Sequence, residues 1–156
     1  ENAGHYQTEH KPKVVIVGLD RELSYAKLDR ALRFLRNGAL LIGSYGGAVY
    51  MSDHGPALSA GPIIKALEYG SGRRAIMIGK PSSRMFQLAL KRADERPSNA
   101  VMIGDQLETD VAGARAAGVH TILVLTGVEN RETLAKSKLR PEMVAESLDE
   151  LVHLVR

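Results

Sequence analysis

The sequence contains no cysteine, which excludes disulfides, thiolate nucleophiles and soft thiolate metal sites, and fits a reducing cytoplasm. It has no tryptophan and only 4% aromatic residues, too few for a base-stacking platform on single-stranded nucleic acid. Lysine and arginine are scattered, and the net charge of +3 leaves no basic stripe, so nucleic acid is not an expected partner. No apolar run approaches the ~20 residues of a membrane-spanning helix. The N-terminal segment Glu1 to Lys13 is polar, lacks the apolar centre of a secretory signal and does not start with Met. No internal repeat or low-complexity tract is present. What remains is an ordinary globular composition, 44% hydrophobic and 25% charged over 156 residues, enough for one domain or one and a half small ones.

The hydrophobic pattern alternates between short apolar runs and helical periodicity. Residues 1–12, with His5 and His10, read as a mobile tail. Val14 to Val17 is a strand, and Ser24 is an N-cap for a helix with Tyr25, Leu28, Leu32 and Leu35 on one face, closed by Asn37-Gly38. A strand over Ala39 to Ile42 completes a β-α-β unit. Ser44 to Gly55 reads as a loop, with a short strand over Ala48 to Met51. Ser59 to Tyr69 is a helix ended by Gly70-Ser-Gly72, Ala75 to Ile78 a strand, and Ser82 or Ser83 to Ala93 a helix. Later come a strand over His120 to Leu125, a helix over Arg131 to Lys138, an edge strand over Glu142 to Ala145 and a helix over Ser147 to Arg156. The class is α/β with a mainly parallel sheet.

The central stretch runs from Ala100 to Gly118. Ala100 to Ile103 suits a strand buried on both faces, Gly104 releases the backbone, and Asp105 and Asp110 follow five residues apart, before a helix that starts at Thr109. In open α/β sheets ligands bind outside the carboxyl ends of the strands, where both aspartates fall. Two carboxylates on one rigid turn suit a hard divalent cation, Mg²⁺ first. The alternative is a turn aspartate followed by a first-turn helix charge. Lys80 follows the strand one earlier in the chain; beside the carboxylates it is a compact positive charge for a phosphate, and alone it is a solvated lysine before Pro81. Gly46-Gly47 reads as a turn, since no lysine and helix follow to make a P-loop. Ser44, Asp53 and His54 lack the setting of a nucleophile elbow.

Gly104-Asp-Gln-Leu-Glu-Thr-Asp110 resembles the fourth motif of the haloacid dehalogenase (HAD) superfamily of phosphatases. Gly79-Lys-Pro-Ser-Ser-Arg-Met-Phe86 resembles the third motif of its NagD-like, or 4-nitrophenylphosphatase-like, branch. Thr121 to Val128 and Val17 to Leu23 resemble further parts of that branch, so the likeness covers about residues 14–156. It implies a Rossmann-like core, incomplete here, joined to the remnant of an α/β cap: a tail over 1–12, cap remnant over 13–58 and the C-terminal part of the core over 59–156. It also implies phosphomonoester hydrolysis in the cytoplasm, acting on a small phosphorylated metabolite through an aspartyl-phosphate. Lys80 would hold the phosphoryl group, Asp105 would bind Mg²⁺ directly, and Asp110 would support the metal's shell. Gln106 and Thr109 would shape the loop. Lys80 and Ser44 are the substrate-binding positions.

The sequence departs from that pattern in two places. It contains no Asp-x-Asp, the motif that supplies the attacking aspartate, and no second-motif Ser or Thr before the cap remnant. It therefore reads as the C-terminal half or more of a longer protein, inactive alone, with a strand edge open to association. A non-catalytic HAD-like binding or regulatory protein is the competing reading. Secondly, the branch usually has Thr-Asn-Pro-Asp where this chain has Ser44-Tyr45-Gly46-Gly47.

Overall fold

A computed structural model describes residues 12–154. The expected tail therefore lies, but for Pro12, outside the described residues. The β-α-β unit forms as the periodicity requires: β1 (Val14–Val17), α1 (Tyr25–Arg36) and β2 (Leu40–Gly43). The Ser24 hydroxyl accepts the Lys27 N–H, and α1 turns Leu35 into the core while Tyr25 stays in solvent. β2 is flanked by β1 and by β5 (Ile76–Met77), all parallel. Between them, α2 (Ala60–Ser71) lies beside α1, so that Ile64 and Leu67 join Leu35 and Leu41 in one buried cluster. Gly70 is accommodated inside the helix, which ends instead at Gly72, in the left-handed region at φ 70°.

Glu68 ties α2 to the start of β5. Its carboxylate accepts the Lys65 ammonium and the Ala75 N–H, each at 2.7 Å, and these donors hold its pKa below the ordinary 4.5. Its contribution to stability is therefore present above that ordinary value and lost as pH falls through the lowered native one.

The short strand read over Ala48 to Met51 forms as β3 (Val49–Ser52), but it pairs antiparallel with a strand the sequence pattern did not announce, β4 (Gly55–Leu58), whose Pro56 stands opposite Met51. Proline masks the strand in the sequence, but in a two-stranded ribbon its missing N–H faces outward at no cost.

The second sheet holds β6 (Val101–Gly104), β7 (His120–Val124) and β8 (Met143–Ala145) in that order, all parallel. α3 (Ser83–Ala93) and α4 (Ala112–Ala116) pack Phe86 and Ala114 against one face, and α5 (Arg131–Lys136) contributes Leu134 to the cluster around Leu123. α6 (Leu148–Leu154) sets Leu151 on Val124 and Ala145, on the opposite face. β6 is not buried on both faces as its apolar run suggests: Val101 and Ile103 are 52% and 41% exposed. The reason is topological. Among the described residues β6 is an edge strand, and α6 packs on the face of Val101 and Ile103 only over β7 and β8.

The packing also divides the chain later than residue 59. α2 and β5 belong to the first sheet, and the chain passes to the second only after Lys80, where the Lys80–Pro81 peptide is cis.

Candidate active site

Four strand-end loops meet where the chain passes between the sheets. The loop after β2 and the loop after β5 are neighbours because their strands pair. The Gly46 N–H donates to the Lys80 carbonyl at 2.8 Å, and Gly79 lies so close to the Ser44 carbonyl that no Cβ fits there. This contact fixes the point from which Lys80 reaches toward the second sheet. Its ammonium meets Asp110 Oδ1 at 2.6 Å.

Asp110 is 2% exposed, and a buried carboxylate is tolerable only when its oxygens are satisfied. Lys80 serves Oδ1, while Oδ2 accepts the backbone N–H groups of Asp105 at 3.1 Å and Gln106 at 3.2 Å. The local backbone explains this inward turn. The Gln106 carbonyl accepts from both Asp110 and Val111, which widens residues Leu107–Val111 into a single π-helical turn ahead of α4. The helix thus starts two residues before Thr109, with Leu107 and Val111 buried beside Leu123.

Asp105 is placed differently. Its Oδ2 accepts the Val128 N–H at 2.9 Å and its main-chain oxygen the Glu129 N–H at 3.1 Å, fastening the loop after β6 to the loop after β7. Among the described residues no protein donor meets its Oδ1. Mg²⁺ uses one or two carboxylates and keeps several waters, so the open oxygen of Asp105 fits such an ion. Asp110 is more fully engaged, with two backbone N–H groups on Oδ2 and the Lys80 ammonium on Oδ1, so only Oδ1 keeps acceptor capacity. Among the described residues no group of three or more acidic or histidine side chains gathers for a metal.

The structure thus brings Lys80, Asp105 and Asp110 together. The Ser44 hydroxyl lies beside Gly18, toward the loop after β1. Asp53 and His54 sit at the exposed tip of the β3–β4 hairpin, consistent with no triad. The Thr109 hydroxyl lies 3.4 Å from Gln106 Oε1 within the same loop. Sequence reasoning missed Tyr45. Its hydroxyl donates to Gln106 Oε1 at 3.0 Å, and its ring centroid is 5.7 Å from the Lys80 ammonium. The available signal was its place at the end of a strand that pairs with the one leading to Lys80. A groove of about 450 Å³ lies away from these residues, between β1, the two helices of the first sheet and the hairpin, lined by Val15, Leu28, Tyr50 and Ile63.

Parallel strands whose carboxyl-end loops converge on a lysine and two aspartates define a Rossmann-like α/β protein with its site at the strand ends. A HAD-hydrolase-like family model matches residues 77–151, the segment holding Lys80, Asp105 and Asp110. Haloacid dehalogenase-like hydrolase domain-containing protein 2 from Rattus norvegicus is 38% identical over 144 residues, 92% of this chain and 56% of that protein. Glycerol-3-phosphate phosphatase from Homo sapiens is 33% identical over 95% of this chain and 50% of its own length. Among solved structures, 4-nitrophenylphosphatase from Thermotoga maritima superposes with a TM-score of 0.85 at 34% identity, covering 93% of this chain and 56% of that one. NagD from E. coli gives 0.74 at 31% identity, covering 89% and 54%. The chain belongs to the NagD-like branch of the haloacid dehalogenase superfamily. It spans about half the length of the curated relatives it matches.

Proposed function

We propose that this chain carries the phosphate- and metal-binding part of a Mg²⁺-dependent phosphomonoester hydrolase acting on a small phosphorylated metabolite. The observation that carries the reading is the Lys80–Asp110 pair at 2.6 Å, set beside an Asp105 carboxylate that keeps one oxygen open. In this reading Lys80 faces the phosphoryl oxygens with the donors Asp110 leaves it, and Asp110 holds both the lysine and the Asp105–Gln106 backbone. Ser44 would reach a substrate only from the side of the loop after β1, where its hydroxyl lies beside Gly18. A divalent cation at Asp105 would neutralise phosphoryl charge. In the complete reaction an aspartate attacks phosphorus, the alcohol leaves, and water then cleaves the acyl phosphate to release inorganic phosphate. The attacking aspartate is not in this chain, which has no Asp-x-Asp.

That absence sets the expected result. The 156-residue chain is expected to show no Mg²⁺-dependent release of 4-nitrophenolate from 4-nitrophenyl phosphate. Turnover that disappears in Asp105→Asn means another group attacks phosphorus, and contradicts the reading. The same absence favours, as the second reading, a non-catalytic HAD-like protein that binds a partner through the retained loops. An Asp-x-Asp upstream in the gene decides against it. We further propose a cytoplasmic setting, in keeping with the lack of cysteine. Among the described residues no helix is long and apolar enough to cross a membrane.

A further inference from the structure

Tyr45 belongs to the first sheet by chain position and to the second by contact. It follows β2, yet its hydroxyl donates to Gln106 Oε1 after β6, and the Lys80 ammonium lies over its ring. The loop is built to let it do so. Gly46 is fastened to the Lys80 carbonyl, and a Cβ on Gly47 would collide with the Tyr45 phenol, so any other residue at 47 would displace that ring.

We infer that Tyr45 is a positioning residue for phosphate binding: its ring holds the Lys80 ammonium while its hydroxyl holds Gln106, joining the lysine loop and the Asp105 loop into one site. The inference rests on the reading of Lys80 as the phosphate's partner. A lysine on a flexible four-carbon stem needs more than one restraint, and Asp110 supplies only one. A second carboxylate would restrain it too, but would cancel its charge and repel a phosphate dianion. An aromatic face restrains a cation without adding charge, and leaves ammonium N–H groups for the ligand.

The test is titration of inorganic phosphate, with Mg²⁺ present, into the 156-residue chain, followed by the amide resonances of Gly79, Lys80 and Gln106. Tyr45→Phe keeps the ring and removes the hydroxyl; Tyr45→Leu removes both and leaves an apolar side chain. The phenylalanine variant is expected to keep phosphate affinity within about twofold, while the leucine variant weakens it about threefold to tenfold, the range of a partly desolvated cation–π contact. Both are expected to release the Gln106 side-chain amide, seen as a shift of its resonances without ligand. Rescue by phenylalanine separates a positioning ring from packing alone, and thermal melts show that each variant is folded. Unchanged phosphate affinity in Tyr45→Leu, or an equal loss in Tyr45→Phe, overturns the role of the ring. If the wild-type chain shows no phosphate shifts, or Lys80→Met keeps them, the reading of Lys80 fails first and this inference with it. Loss in Lys80→Met but not in Tyr45→Leu overturns the inference alone.

Discussion

Asp110→Ala is expected to destabilise the chain by about 3 kcal/mol, although the residue carries no proposed contact with substrate. One carboxylate satisfies three donors: the Lys80 ammonium and the N–H groups of Asp105 and Gln106. Hydrogen bonds to a charged group are each worth about 1.5–3 kcal/mol, which sets the upper side of the loss. The lysine tempers it, because its side chain is 28% exposed and can rehydrate once its partner is gone. At about 2–4 °C per kcal/mol for a chain of this size, the melting temperature should fall by about 10 °C. Asp110→Asn separates the contributions. Its amide oxygen can still accept the two backbone N–H groups but offers the lysine no charge, so about 1–2 kcal/mol is expected. Equal melting of Asp110→Ala and wild type would mean that the buried pair does not hold the loop.

Self-association is the second large effect expected. In the first sheet, Val15, Val17 and Leu41 face α1 and α2, while the alternate residues Val14, Ile16, Leu40 and Ile76 are exposed, Ile16 at 69%. In the second, Val101 and Ile103 leave an apolar strip along the unpaired edge of β6. Parallel sheets are ordinarily covered on both faces, and an exposed apolar edge is a template for another strand. We propose that a second copy covers this surface at the β6 edge. Sedimentation velocity is expected to show dimers or larger species rising with concentration, and Ile103→Glu is expected to shift the population toward monomer. A single monomeric species across the concentration range would contradict the proposal.

The sequence revealed the elements better than their surroundings. Strand and helix periods, caps at Ser24 and Ser82 and the glycine stop at Gly118 are local signals, and the elements they mark form where expected. Coverage of a strand is not local: Ala100 to Ile103 has the composition of a central strand, and only the strand order puts it at a sheet edge among the described residues. Pro56 hid β4 because the rule against proline in strands concerns donors that a ribbon edge does not need. At the site, the residue types Lys80, Asp105 and Asp110 were readable from motif spacing. A division of labour among them came only with the resemblance to the family's motifs, and the donors each carboxylate accepts were not readable, since they depend on which way it turns after Gly104. Tyr45 was missed for a further reason: its partners lie 35 and 61 positions away in the chain, beyond any periodicity, and only its place after β2 hinted at them.

The most direct test of a single phosphate and metal site at these strand ends is a titration of the chain with Mg²⁺ and inorganic phosphate together, read on assigned amide resonances. The expected result is joint movement of Gly79 and Lys80 beside the first sheet and of Asp105, Gln106 and Val128 beside the second, with the second group losing its Mg²⁺ response in Asp105→Asn. Mg²⁺ shifts that survive Asp105→Asn, or phosphate shifts confined to residues away from Lys80, would contradict it.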